Sequence, residues 1–146
     1  MRHLRGTIAA TAALVLSGTA AATARADQPD DTALYAPSAV VLTIGKGSPA
    51  EGIAVTVERA VTLSCSPRAE GTHPSPVAAC RELRWVDGRF ADLPSRLPVT
   101  LCTREWDPVT VTADGAWRGQ RVDWSATYNN GCEMVASLGE GAVFAF

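Results

Sequence analysis

The chain has 146 residues, of which 47% are hydrophobic and 19% charged, and its formal net charge is −2. This balance is typical of a folded domain and argues against intrinsic disorder. The mild acidity lacks the basic footprint of a nucleic-acid-binding protein, so no nucleic-acid partner is expected.

Residues 1–26 have the pattern of a secretory signal peptide. Arg2 and Arg5 precede an apolar, alanine-rich run from Ile8 to Thr19, and Ala24-Arg25-Ala26 supplies the small-x-small cleavage pattern. The run is short for a bilayer span, so membrane anchoring is the weaker interpretation and no membrane partner is expected. Cleavage after Ala26 would remove three arginines and no acidic residue, giving a secreted, extracellular protein with a formal charge of −5.

Four cysteines follow the predicted cleavage site, which in an exported protein predicts two disulfides. Three pairings are possible. The sequential one joins Cys65 to Cys80 and Cys102 to Cys132, and each loop closure would stabilise the fold by about 3–4 kcal/mol. A zinc site is the disfavoured alternative, because the chain has no Cys-x-x-Cys pair and His73 is the only histidine after the cleavage site. No metal and no cofactor are therefore assigned.

The first half of the exported region predicts two strands and a helix. Residues 27–37 are rich in Asp and Pro, which indicates a flexible arm before a domain at 38–146. The β-branched run Ala39–Ile44 predicts a strand ended by the turn Gly45-Lys46-Gly47, and the alternation from Val55 to Cys65 predicts a second, half-buried strand. After a loop at 67–76, Ser75-Pro76 indicates a helix start, and Gly88 closes the helix.

The second half predicts a hairpin, a helix and a terminal strand. Residues 93–101 contain two prolines and form an exposed connection. The strands 109–112 and 121–128 would meet at a turn over Asp114-Gly115, with Arg118-Gly119 as the alternative. A helix over Cys132–Leu138 would end at Gly139, and Val143–Phe146 predicts a last strand. These elements predict an α+β fold with a single five-stranded antiparallel sheet and two short helices.

The most distinctive local pattern is Cys102-Thr103-Arg104-Glu105-Trp106-Asp107-Pro108. A basic residue lies two positions after a cysteine, whose plausible disulfide partner is Cys132, and four positions before a proline. Proteases with an acidic specificity pocket bind such a side chain. A substrate-like segment held by a disulfide therefore points to a protease inhibitor, with Arg104-Glu105 as the bond offered to the protease.

Several longer stretches carry a family resemblance. They are Leu34–Thr43, Glu58–Leu63, Gly71–Pro74, Asp107–Val109, Asp114–Trp117, Cys132–Met134 and the ending Val143–Phe146. In order and in cysteine spacing, they make the region after the signal peptide similar to the Streptomyces subtilisin inhibitor family over nearly its whole length. The resemblance implies secreted inhibitors of subtilisin-like and trypsin-like serine proteases. It also implies a homodimer formed by packing the sheets of two protomers.

The resemblance also implies roles for individual residues. In the family the reactive bond lies two residues past the third cysteine, which is again Arg104-Glu105 here, and Asn130 matches the position whose side chain supports the reactive loop. Leu101, Cys102, Thr103, Trp106 and Asp107 would contact the protease, and Pro108 would support the loop. The best-known member directed at subtilisin has an apolar residue at the position of Arg104, so trypsin-like targets are expected first. The acidic Glu105 is expected to narrow the target range.

Other functions are less favoured by the sequence. The runner-up is an exported protein-binding module or transglutaminase substrate on the same scaffold, and inhibition of metalloproteases stays open. An enzyme is not expected, because disulfides would consume every cysteine and no serine has an evident partner set. His73 lacks partners for catalysis, so a structural role in its turn is expected.

Overall fold

The computed structural model describes residues 36–93, 102–138 and 141–146. In this part of the chain the strands are β1 (Ser38–Lys46), β2 (Thr56–Ser66), β3 (Glu70–Gly71), β4 (Val109–Trp117) and β5 (Gln120–Tyr128), and the α-helices are α1 (Pro76–Trp85) and α2 (Gly131–Leu138). The strands form one sheet in the order β3-β2-β1-β4-β5, in which all neighbours are antiparallel. The predicted fold class is confirmed. The predicted signal peptide and most of the predicted arm lie outside the described residues.

One face of the sheet carries the hydrophobic core. Successive side chains of a strand point to opposite faces, so alternate residues of β1 and β4 face inward, and Leu42, Val111 and Ala113 are completely buried. Both helices pack on this face: α1 contributes Ala79, Cys80 and Leu83, and α2 contributes Met134 and Leu138. Within the described residues, neither helix has the length and apolar character needed to cross a bilayer.

The opposite face of the sheet, which we call the open face, is largely exposed on β1 and its neighbours. Val41 of β1 is 43% exposed there. Beside it, the hydroxyls of Thr43 and Thr112 lie 2.8 Å apart across β1 and β4. Helices α1 and α2 both pack on the core face.

The predicted terminal strand over Val143–Phe146 is wrong, although its apolar residues are indeed inside. Val143 and Phe144 are buried in an irregular segment at the edge of the core. The Glu82 carboxylate of α1 accepts hydrogen bonds from the backbone N–H groups of Ala142 and Val143. These N–H groups therefore bind a side chain instead of a neighbouring strand. The sheet gains its fifth member from β3 (Glu70–Gly71), which lies inside the predicted loop at 67–76. This strand pairs with Leu63 and Ser64 of β2.

The favoured position of the hairpin turn is also wrong, and the alternative is confirmed. Asp114 and Gly115 lie within β4, and the chain reverses at Arg118 and Gly119, whose φ angles are 47° and 77°. Two consecutive positive φ values are what the common two-residue hairpin turn requires. Gly115 serves another purpose: a Cβ there would lie 2.3 Å from the backbone oxygen of Ala39 on β1.

Two disulfides join the elements in the sequential pairing. Cys65–Cys80 links the end of β2 to α1, with the Cα atoms 5.3 Å apart. Cys102–Cys132 links the segment before β4 to α2, with a Cα separation of 5.7 Å. The predicted helix start at Pro76 is correct, but the Ser75 side chain makes no capping hydrogen bond. The predicted end of the second helix at Gly139 lies outside the described residues.

Candidate functional site

Residues 102–108 form an irregular, exposed segment that leads into β4, and we call it the reactive loop. Thr103, Arg104 and Glu105 are exposed, whereas Cys102 and Pro108 at the two ends are half-buried. A segment without ladder hydrogen bonds leaves its backbone available to pair with the extended-peptide site of a protease. Leu101, the first predicted contact residue, lies outside the described residues.

The side of the loop before Arg104 is held covalently. The disulfide between Cys102 and Cys132 attaches it to the first turn of α2. Helix α2 follows directly after β5, the edge strand of the sheet that pairs with β4. The disulfide therefore attaches the reactive loop to a helix next to the sheet, and not to another loop.

Asn130 lies beneath the loop and is only 6% exposed. Its side-chain Nδ2 donates to the carbonyl oxygen of Thr103 at 2.9 Å and to that of Glu105 at 3.0 Å. The same amide group thus binds the carbonyls of the residues on either side of Arg104. Its Oδ1 accepts a hydrogen bond of 3.0 Å from the backbone N–H of Glu133, as in an N-cap of α2. Asn130 thus links the reactive loop to the start of α2.

The side of the loop after Glu105 is held by non-covalent contacts with two neighbouring segments. The backbone N–H of Asp107 donates to Asn129 O at 2.9 Å, and Pro108 O accepts from the N–H of Gly47, also at 2.9 Å. The Lys46 ammonium group forms an ion pair with the Asp107 carboxylate. The carbonyl oxygen of Pro108 thus links the end of the loop to Gly47.

Lys46 and Gly47 were missed as site residues by the sequence reasoning. Gly45-Lys46-Gly47 was interpreted only as the turn that ends the first strand, and Lys46 is 61 residues from Asp107. The contact arises because β1 and β4 are antiparallel neighbours, with Lys46 paired opposite Val109. No local pattern carries that information; only the correct pairing of the strands could have suggested it.

Trp106 and His73 have different environments: the tryptophan is partly exposed and the histidine is buried. Trp106 of the reactive loop is 49% exposed, and Trp85 on α1 is far more exposed, at 89%. His73 is buried; its Nδ1 accepts from the N–H of Ser75 at 3.0 Å and its Nε2 lies 3.2 Å from Val143 O. Both ring nitrogens thus have backbone partners, which is a structural role.

The electrostatic environment near the loop is set by exposed charges. Arg104 and Glu105 both lie at the surface. Partial burial raises the pKa of Tyr128, which ends β5 just before Asn129. Among the described residues, no group of three or more His, Cys, Asp or Glu side chains is arranged to hold a metal ion.

Comparison with known proteins places this arrangement in a family. A family profile described as subtilisin inhibitor-like matches residues 36–130. A subtilisin inhibitor from Streptomyces violaceus is 54% identical over 97% of this chain and 94% of its own length. A transglutaminase-activating metalloprotease inhibitor from Streptomyces mobaraensis is 45% identical over the whole of both chains.

A solved structure shows the same fold. Sermetstatin from Streptomyces caespitosus, crystallised in complex with Bacillus licheniformis subtilisin, superimposes with a TM-score of 0.67. It is 48% identical in sequence and covers 75% of this chain and 99% of its own. The chain belongs to the subtilisin inhibitor-like family.

Proposed function

We propose that this protein is a secreted serine protease inhibitor whose reactive bond is Arg104-Glu105. The observation that carries the proposal is the double hydrogen bond from Asn130 to the carbonyls of Thr103 and Glu105. A loop held in this way is already in the shape that a protease binds, so association avoids much of the ordering cost. The inhibitor acts as a binding partner and not as an enzyme.

The mechanism follows from how the two sides of the bond are held. A protease serine attacks the Arg104 carbonyl carbon, and an ordinary substrate then loses its amine fragment by diffusion. Here the Cys102–Cys132 disulfide holds one side, while Asn130 and the segment ending at Pro108 hold the other. The new amine of Glu105 stays close to the acyl carbon, so religation competes with hydrolysis. Binding is tight and turnover slow.

The target range follows from the residues of the loop. An arginine guanidinium forms charge-assisted hydrogen bonds with a carboxylate, so Arg104 favours a trypsin-like specificity pocket with an acidic floor. The subtilisin complex of sermetstatin supports subtilisin-like proteases as further targets. Leu101, Cys102, Thr103, Trp106 and Asp107 fill the adjoining subsites. The carboxylate of Glu105 disfavours binding to proteases in which the subsite for the residue after the cleaved bond is acidic or apolar.

A second candidate function is inhibition of metalloproteases. It is favoured by the name of the Streptomyces mobaraensis relative, which describes a metalloprotease inhibitor connected with transglutaminase activation. Titration of a bacterial metalloprotease with wild type and an Arg104 variant would separate the two activities. Equal metalloprotease inhibition by both would place that activity outside the Arg104 contact. A role as transglutaminase substrate would be measured as covalent incorporation of an amine probe.

The decisive experiment titrates trypsin and subtilisin with the oxidised protein. We expect stoichiometric loss of trypsin activity. Arg104→Met should weaken trypsin inhibition by about 2 kcal/mol or more, roughly 30-fold in Ki, because the guanidinium that enters the specificity pocket is the hot spot of binding. Arg81→Met, which changes an exposed arginine on α1, is the matched control and should leave inhibition unchanged. Rapid cleavage of wild type by trypsin without loss of protease activity would refute the proposal.

A further inference from the structure

We propose that Lys46 is a positioning residue that retains the leaving side of the reactive bond, acting through its ion pair with Asp107. This inference rests on the proposed function and specifies how the cut loop stays closed. Lys46 is the last residue of β1, and its ammonium group reaches the Asp107 carboxylate across 61 residues of sequence. Asp107 follows the reactive bond closely, separated from Glu105 only by Trp106.

The anchor around Lys46 has a rigid base. The N–H of Gly47 donates to Pro108 O at 2.9 Å, and Gly47 O accepts from the hydroxyl of Thr110 at 2.8 Å. Thr110 is buried in β4, so the Gly47 peptide is fixed at both ends. Gly47 has a φ of +131°, and a Cβ there would lie 2.3 Å from Ala54 O, so no side chain fits. The backbone of the adjacent Lys46 is therefore held in a defined position.

The two sides of the reactive bond are held by different kinds of interaction, so the loss of Lys46 should loosen the Glu105 side more than the Arg104 side. The Arg104 side is tied by the disulfide of Cys102, whereas the contacts of Glu105, Asp107 and Pro108 described above are all non-covalent. In the intact loop both sides are continuous, and Lys46 adds little. After cleavage the new amine is held by the short chain that joins Glu105 to β4 and by these contacts, among which Lys46 supplies the ion pair.

The chemical step shows where this contact acts. In the acyl-enzyme the Arg104 carbonyl carbon is esterified to the protease serine, and Glu105 carries a free amine that took up the proton from the catalytic base. If that amine attacks the ester, the peptide bond re-forms and the serine recovers its proton. If water attacks first, the serine is released and Arg104 ends in a carboxylate. Retention of the amine by Lys46 and Asp107 favours the first outcome over the second.

The test compares turnover with binding in the full-length, oxidised protein. With trypsin, Lys46→Met should increase the rate at which cleaved chain accumulates and activity returns by about 1.5- to 5-fold, the range of an exposed ion pair. The association rate constant should change by less. Asp107→Asn should have the same effect, and the double variant should be no worse than either single one, because both remove one contact. Lys46→Arg keeps the positive charge, so this variant should turn over as slowly as wild type.

Two controls make the result specific. Arg89→Met removes another exposed ion pair, that of Arg89 with Asp92, which takes no part in the loop contacts described above. It should leave turnover unchanged. Raising the salt concentration screens exposed charges, so it should speed turnover of wild type and leave Lys46→Met nearly unaffected. Thermal unfolding of each variant establishes that it is folded.

The outcomes separate this inference from the function on which it rests. If wild type inhibits trypsin and Lys46→Met turns over at the wild-type rate, the role of Lys46 is overturned and the inhibitory function stands. Equal acceleration by Lys46→Met and Arg89→Met also overturns it, since the effect would then be one of general stability. If wild type does not inhibit any serine protease tested, the proposed function fails, and this inference with it.

Discussion

At the scale of single residues, the loop depends on a buried amide that binds three backbone groups at once. Asn130 donates to Thr103 O and Glu105 O and accepts from the N–H of Glu133. Each bond uses a donor or acceptor that would otherwise lack a partner in a partly buried place. An unmade hydrogen bond costs about 1–3 kcal/mol there, more than a made one contributes. The loop and the start of α2 therefore share one support.

Substitution of Asn130 by alanine should damage stability and inhibition together. We expect Asn130→Ala to lower the free energy of unfolding by about 1–3 kcal/mol, through the lost cap and the two unpaired carbonyls. Trypsin should cleave the freed loop as a substrate. Denaturant unfolding and gel analysis of trypsin digests would measure both effects.

The neighbouring asparagine offers a matched control. Asn129 is exposed, and its side chain binds the Glu133 carboxylate, while only its backbone oxygen holds Asp107. Asn129→Ala should therefore keep slow turnover and nearly full stability. Resistance of Asn130→Ala to trypsin, equal to that of Asn129→Ala, would contradict the support assigned to this amide.

At the scale of elements, the two disulfides should have separable effects. Replacing Cys102 and Cys132 by serine frees the loop on the Arg104 side, so we expect rapid cleavage by trypsin and loss of inhibition. Replacing Cys65 and Cys80 by serine should cost about 3 kcal/mol of stability, because that bridge closes a loop between β2 and α1. That variant should still inhibit wherever it remains folded.

The comparison needs inhibition measured at a temperature at which both variants are folded, as judged by circular dichroism. If both double variants inhibit trypsin equally well there, the Cys102–Cys132 bridge is not what holds the reactive loop. If both folded variants lose inhibition to the same degree, the loss does not depend on which bridge is broken, and the special role of the loop disulfide is refuted.

Elements with a strong local pattern were predictable, and those set by distant contacts were not. The β-branched run in β1 and the proline at the start of α1 give their positions directly. Val143–Phe146 has the composition of a strand, but the Glu82 carboxylate, 61 residues away, accepts a hydrogen bond from the backbone N–H of Val143. The two-residue strand Glu70–Gly71 carries no pattern of its own and exists only because β2 lies beside it.

The site was predictable to the same extent. Arg104 and Glu105 lie close to Cys102 in sequence, and Asn130 came from the family resemblance. Lys46 could not be found, because its contact with Asp107 follows from the register of β1 on β4. Charged residues at strand ends are common, and most have no partner that matters for function.

At the scale of the whole molecule, we propose that two protomers pack through their open faces. This partner was implied by the family resemblance, and the exposed apolar side chain of Val41 lies on the face that would be covered. The reactive loop leads into β4 at the end where β1 finishes, which leaves it accessible at the edge of such a pair. Each protomer can then bind one protease.

An arginine on the open face should separate assembly from inhibition. We expect Val41→Arg to shift the protein from dimer to monomer in sedimentation equilibrium, because two like charges would be buried opposite each other. Inhibition per chain should be unchanged. Val77→Arg, at a 64% exposed position on α1 away from this face, should remain dimeric. A wild-type protein that sediments as a monomer at micromolar concentration would refute the proposed dimer.

The threonines of the open face have a consequence for any surface that covers it. The Thr127 hydroxyl can donate to Thr110, which donates to Gly47 O, and one of the Thr43 and Thr112 hydroxyls donates to the other. Stripping water from a hydroxyl is costly only when it loses a partner it cannot replace. Three of these four hydroxyl hydrogens already have acceptors within the sheet. A surface that covers this face therefore has to offer a new acceptor to one threonine hydrogen instead of four.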